Sequence, residues 1–293
     1  MKLLRAGAAG SERPMAVDED GLVRDLGPLG TDIDGHFLSA EGLETARRAL
    51  RTSSLAVVGH LEAGVVTLGT GERIGPPMAR PGKIICIGLN YRGHAAEAGA
   101  QVPAEPVLFM KAPNTVVGPY DDIAVPRASH KTDWEVELGV VIGSQARYLA
   151  SPAAAAAVVA GYVGVNDVSE REFQLERGGQ WDKGKSCETF NPVGPWLLTA
   201  DEVADPQDLR LRCWVNGELR QDSNTADMIF GVHHVVWYLS QFMVLEPGDL
   251  INTGTPAGVS FGHDDVPYLR AGDRVEVEVD GLGHQSCAVV QAR

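Results

Sequence analysis

The chain has 293 residues, enough for one large domain or one large domain with a small one beside it. It is 44% hydrophobic and 22% charged, the usual composition of a globular protein. With 39 acidic against 25 basic residues the net charge is -14, and no basic stripe offers a surface for nucleic acid or anionic membrane. An anionic small molecule could still be held, but only by a local device: a metal ion, an Arg or backbone amides.

The opening Met1-Lys2-Leu3-Leu4-Arg5-Ala6-Gly7 is too short an apolar run for a signal peptide, and no later run would span a bilayer. Cys86, Cys187, Cys213 and Cys287 are widely spaced, with no C-x-x-C pair. Reduced core thiols in a cytoplasmic protein are expected. Residues 1–80 read as a small N-terminal α/β module and 81–293 as the main domain, with the Gly75–Gly82 stretch as punctuation between them. The module contains two strand-like pieces, MKLLRAG and GLVRDLG. A helix follows, capped by Ser39, with Leu43, Ala46 and Leu50 on one face.

The main domain is strand-rich: KIICIGL, EVELGVVIG, GYVGVND, LRLRCWVNG, DLINTG and RVEVEVDG are predicted strands. Ser151-Pro152 ahead of the Ala153–Ala157 run predicts a helix start. A long helix is predicted from an Asp227 cap through Met228, Val232, Val235, Leu239 and Phe242, stopped by Pro247-Gly248. Many short strands in no βαβ rhythm predict an α+β chain, a mixed β-sandwich or β-roll.

Thr132–Gly139 alternates strictly, placing Asp133, Glu135 and Glu137 on one face of a strand. A solvated acidic face is the simplest reading of such a pattern. However, the segment continues into Val140-Val141-Ile142, apolar on both faces and therefore central. Carboxylates side by side on a buried strand repel unless a cation neutralises them. Asp167, ending a second apolar strand, brings a third hard oxygen ligand of the kind that suits Mg²⁺ or Mn²⁺. Val275–Gly281 has the same alternation but ends in Asp280-Gly281, a hairpin-turn signal, and there the solvated face is expected.

From about residue 82 to about 265 the motif order resembles the fumarylacetoacetate hydrolase family. The matching runs are IGLNYRGHAAEAG, FMKAPNTVVGP, DWEVELGVVIG, GYVGVNDVSEREFQ, WDKGKSCETFNPVGPW and INTGTPAGVSFG. The resemblance implies that family's mixed β fold, metal-dependent chemistry on 2-oxo acids and β-diketones, and a homodimer. It implies that Glu135, Glu137 and Asp167 hold one divalent ion, Mg²⁺ or Mn²⁺. The prototype's additional acidic ligand is missing, because the corresponding loop reads LNYRGH, with Asn90 and Tyr91.

The same resemblance makes His94 and Glu97 a catalytic pair, and their i, i+3 spacing lets them share a helical face. Ser169 and Glu172 predict a capping box that opens a helix just after Asp167, with Arg171 and Gln174 on one face and the helix N-terminus toward a bound anion. Lys185 corresponds to the lysine that stabilises developing negative charge, although composition alone does not separate it from Lys183. Gly254 and Thr255 fall in the loop that binds the substrate carboxylate, and Lys111 lies near a substrate loop.

Hydrolysis of a C–C bond in a 2,4-dioxo acid, giving pyruvate, is the activity expected. The resemblance extends to hydrolases of 2,4-diketo-3-deoxy sugar acids such as 2,4-diketo-3-deoxy-L-rhamnonate, which release a hydroxy acid. A hydroxylated tail of this kind requires polar partners, for which His263, Asp264 and Asp265 are candidates by position, a solvated loop being the simpler reading of that charge cluster. The alternatives on the same metal site are an oxaloacetate decarboxylase or tautomerase and a general acylpyruvate hydrolase. A non-catalytic scaffold would have degraded motifs, and here every expected position is filled.

Overall fold

A computed structural model of the chain describes residues 1–293 except Ser53, Ala98 and Asp264. The architecture is the β-dominated α+β arrangement expected from the sequence. An eleven-stranded sheet carries Val136–Ile142 near its middle, between antiparallel Val159–Asn166 and Leu250–Asn252. Every residue of Val136–Ile142 is buried, so its run of apolar side chains reflects burial on both faces. Gly139 has a steric reason: a Cβ there would meet Val165 Cγ2 at 2.7 Å and Val163 Cγ1 at 2.8 Å.

Alternation divides that strand between two cores. Val136, Leu138 and Val140 pack in one cluster with Leu211, Cys213, Val275 and Val277 of a second, five-stranded sheet. Val141 packs in the other cluster with Val163, Val165 and Phe109. The Asp280-Gly281 signal marks a real hairpin, joining Arg274–Val279 to Gly283–Gln291. Lys2–Ala6 pairs with Leu197–Thr199, so the strands of the first 68 residues extend the same eleven-stranded sheet. The helix Ala40–Thr52 is capped as expected, Ser39 Oγ accepting the Gly42 N–H at 3.2 Å. Among the described residues no helix is long and apolar enough to cross a membrane.

Two helical expectations are corrected. The Ala153–Ala157 run lies in a 3₁₀ helix, Pro152–Val158, and Ser151 makes no side-chain cap. The predicted long helix is confined to Val232–Leu239, with Gly231 at its N-cap, while Asp227 ends a separate 3₁₀ turn. Tertiary contacts override the periodic pattern here. Asn90 Oδ1 accepts the Phe230 N–H and the Asn90 carbonyl accepts the Ile229 N–H, which holds the chain off the helical path before residue 231.

Candidate active site

The carboxylates converge because two antiparallel strands end together. Val136 pairs with Asn166. One step outward, Asn166 Oδ1 accepts the Glu135 N–H at 3.0 Å and the Glu135 carbonyl accepts the Asp167 N–H at 2.9 Å. These links replace the ladder where the predicted Thr132–Gly139 strand breaks, at Trp134-Glu135. Thr132–Asp133 instead pairs with Ser169–Glu170 in a short separate ribbon. The carboxylate oxygens of buried Glu135, Glu137 and Asp167 lie within 4.8 Å of one another. The control pair behaves differently: Glu278 is half-exposed against Arg212 and Glu276 against His284.

Three cations border the cluster. Lys185 Nζ donates to Glu135 Oε2 at 2.7 Å and lies 3.1 Å from Asp167 Oδ2. Lys111 Nζ, equally buried, donates to Asp167 Oδ1 and to the Val168 carbonyl. Arg171 bridges outward, Nη1 2.7 Å from Glu135 Oε1 and Nε 2.8 Å from Asp133 Oδ2.

These charges act unequally. Burial alone would push Glu135 up, but the Lys185 ammonium and the Arg171 guanidinium outweigh it and bring the carboxyl down to about 2. Glu137 goes the other way, pushed well above the carboxylate range by burial and by the charges of Asp167 and Glu135. Among the described residues Glu137 has no ion-pair partner, and its carboxylate accepts the Gly254 N–H. Asp167 Oδ2 is buried and makes no hydrogen bond among the described residues, the Lys185 ammonium lying 3.1 Å away. A buried set of three carboxylates, with ligand oxygens within 4.8 Å of one another and one carboxylate without an ion-pair partner among the described residues, fits Mg²⁺ or Mn²⁺.

The 254–263 loop ties the parts together. Gly254 donates its N–H to Glu137 Oε2 at 2.8 Å. Its φ of 101° and a Cβ position only 2.7 Å from Asn90 Cβ require glycine. Thr255 Oγ1 donates to the Val136 carbonyl and accepts from Gln221 Nε2. The N–H groups of Ser260 and Phe261 donate to Asp133 at 2.8 and 3.0 Å. The Phe261 ring faces the Arg171 guanidinium, 5.5 Å away.

His94 and Glu97 share the short helix Arg92–Glu97, with Nδ1 3.3 Å from Oε2. Glu97 also accepts the Gly258 N–H and is met by His263 Nε2. Burial would raise the Glu97 carboxyl, but the hydrogen bonds from both imidazoles and from Gly258 hold it below its usual value. His263 is thus engaged with Glu97, and Asp264 lies outside the described residues.

The capping box is not formed: Ser169 lies in a strand, and its hydroxyl donates to the Asp167 carbonyl. A five-residue π-helix, Glu172–Glu176, follows and supplies no anion-binding N-terminus. Arg171 and Gln174 still meet, Nη1 donating to Oε1 at 3.2 Å. The structure separates the two lysines: Lys185 is buried in the cluster, whereas Lys183 is exposed and donates to the Arg177 carbonyl. Asn90 is occupied with backbone carbonyls, and the buried Tyr91 hydroxyl makes no hydrogen bond among the described residues.

Part of this constellation opens on a cavity of about 190 Å³. Glu135, Glu137, His94, Arg171, Gln174, Lys185 and Thr255 line its polar end. Its remaining wall comes mainly from Ile87, Leu89, Phe109, Leu175, Trp181 and Phe261. Phe109 and Trp181 pack edge to face at 5.4 Å, and the Phe109 ring lies 5.0 Å from Lys185 Nζ. Sequence reasoning missed this wall, although Phe109 and Trp181 fall inside motifs already singled out. It also missed Asp133 as the anchor of Arg171, and Gln221, which holds Thr255 from the other sheet.

Residues 83–290 match the family described as fumarylacetoacetate hydrolase, C-terminal. A Burkholderia ambifaria protein is 50% identical over 295 residues, covering all of both chains. Maleylpyruvate hydrolase from Sphingobium sp. SYK-6, solved with manganese(II) and pyruvate, superimposes with a TM-score of 0.79 at 30% identity over the full length of both chains. The 5-carboxymethyl-2-hydroxymuconate delta-isomerase of Mycobacterium smegmatis does so at 0.75 and 30%, again covering both chains fully.

Proposed function

The chain belongs to the fumarylacetoacetate hydrolase family, and from that premise we propose that it is a divalent-metal-dependent hydrolase that cleaves the C3–C4 bond of a 2,4-dioxo acid to pyruvate and a carboxylic acid. The observation that carries this reading is one cavity lined by both Glu135 and Glu137 of the buried three-carboxylate cluster and by His94, whose Nδ1 is backed by Glu97.

Mg²⁺ or Mn²⁺ held by Glu135, Glu137 and Asp167 would supply Lewis acidity toward the substrate's carboxylate and 2-oxo oxygens. Glu97 accepts a hydrogen bond from the His94 Nδ1–H and fixes the tautomer, leaving Nε2 to take a proton from water. That water adds to the C4 carbonyl. When the C3–C4 bond breaks, C4 leaves as a carboxylic acid and the bonding electrons stay on C3 as the enolate of pyruvate, which is then protonated. Arg171 has a buried Nη2 with no protein partner among the described residues, suited to an oxyanion. Lys185 places a second positive charge at the same end, and Gln174 offers its amide.

The apolar wall supports an acyl tail with few hydroxyls. Ile87, Leu89, Phe109, Leu175 and Phe261 offer no side-chain hydrogen bond to the hydroxyls of a 2,4-diketo-3-deoxy sugar acid. We therefore place an acylpyruvate ahead of the sugar acid anticipated from the sequence. A second reading is proton transfer without hydrolysis, as in a tautomerase or decarboxylase. Its support is the likeness, at the same 30% identity, to the Mycobacterium smegmatis isomerase.

The test is a panel of acylpyruvates, 2,4-diketo-3-deoxy-L-rhamnonate and oxaloacetate with Mg²⁺ and Mn²⁺, identifying both products. Pyruvate with an equimolar carboxylic acid supports hydrolysis. Turnover of oxaloacetate alone, with release of CO₂, or isomerised substrate without pyruvate, contradicts it.

A further inference from the structure

We propose that His263 is a positioning residue for the proposed general base, gripping Glu97 on the side away from His94. The inference rests on the reading of His94 as the base.

The Glu97 carboxylate has three partners. Oε2 faces His94 Nδ1 at 3.3 Å, Oε1 faces His263 Nε2 at 2.5 Å, and both oxygens share the Gly258 N–H at 3.0 and 3.1 Å. A carboxylate held only by Gly258 could rotate about its terminal torsion, which is broad and soft. Its oxygen would then leave the line to His94 Nδ1. The His263 contact holds the second carboxylate oxygen and so fixes the carboxylate plane.

The covalent arrangement adds a second constraint. His94 and Glu97 lie on a six-residue helix with little stability of its own. His263 and Gly258 belong to the loop that also presents Gly254 to Glu137 and Thr255 to the cavity. Gly262 permits the approach, since a Cβ there would lie 3.1 Å from the Glu97 carbonyl oxygen. Glu97 is thus the joint between the helix carrying the base and the loop bordering the metal site, and His263 closes that joint. The imidazole is two-fifths exposed, whereas the Glu97 and His94 side chains are nearly buried. It approaches from the rim and does not touch the reacting atoms.

The experiment compares His263→Ala, His263→Gln, Glu97→Gln and the Glu97→Gln/His263→Ala double variant, with an acylpyruvate that the wild type hydrolyses and saturating Mn²⁺. His263→Ala should lower kcat by about 10- to 100-fold, leaving KM and Mn²⁺ affinity unchanged. His263→Gln, whose amide can donate from nearly the same place, should restore most of kcat. In the Glu97→Gln background the His263→Ala change should cost nothing further, because the two residues act as a unit.

Wild-type kcat in His263→Ala overturns the proposal, as does a full additional loss in the double variant. If His263→Ala does not fold, His263→Leu, which fills the space but cannot donate, and its double variant with Glu97→Gln carry the same comparison. Failure of the underlying reading has its own signature: His94→Ala would keep wild-type turnover whatever His263 does.

Discussion

Glu135 and Asp167 lie just beyond the paired ends of two different strands, Val136–Ile142 and Val159–Asn166, and the Glu135 carbonyl accepts the Asp167 N–H at 2.9 Å. This backbone link sets two carboxylates side by side before any side-chain contact is counted. Glu137, two residues along the chain from Glu135, completes the cluster. A bound cation therefore does not have to gather the ligands, only neutralise them. Glu135→Gln should abolish measurable Mn²⁺ binding by calorimetry and abolish turnover, while Glu276→Gln, on the exposed hairpin, should leave both intact. Wild-type Mn²⁺ affinity in Glu135→Gln would remove this residue from the site.

His94→Ala should reduce kcat by about 10²–10⁴, the usual loss on removing a general base, with Mn²⁺ affinity nearly unchanged. Single-turnover kinetics on a metal-saturated variant provide the measurement. Normal hydrolysis would transfer water activation to another group.

The two neighbouring lysines make a paired prediction. Lys185→Met removes a buried charge next to Glu135 and Asp167 and should lower kcat/KM by about 10²-fold or more. Lys183→Met should remain within about twofold, as expected for an exposed side chain in contact with a carbonyl. Equal losses in the two variants would contradict the assignment of charge stabilisation to Lys185.

Gly139→Ala tests the fold beneath the site. Its Cβ would come within 2.8 Å of both Val163 and Val165, two stiff β-branched side chains. Urea denaturation should show a loss of about 1–3 kcal/mol, the usual cost of overpacking. An unchanged midpoint would mean that the sheet has slack at its centre.

The strand pattern was largely legible because it depends on local alternation and turn residues, as at Val136–Ile142 and the Asp280-Gly281 hairpin. The metal-ligand candidates and the His94–Glu97 pair were legible because their motifs survive intact in a single sequence. What sequence could not supply depends on long-range partners. Asn90 takes over Ile229 and Phe230 and shortens the predicted helix. Asp133 looks like a fourth acid of the same strand face, yet serves Arg171 and the amides of Ser260 and Phe261. His263, placed by its position in the chain as a partner for a substrate tail, turns out to face Glu97.

The most direct measurement of the central claim is isotopic. Turnover of an acylpyruvate in H₂¹⁸O with Mn²⁺ should place one ¹⁸O atom from solvent in the carboxylic acid released from C4, read by mass spectrometry after correction for exchange of the substrate carbonyls. The account predicts one such atom per turnover, with pyruvate formed in equal amount. Substrate consumed without solvent oxygen in a C4-derived acid would contradict hydrolysis and leave proton transfer or decarboxylation as the chemistry of this site.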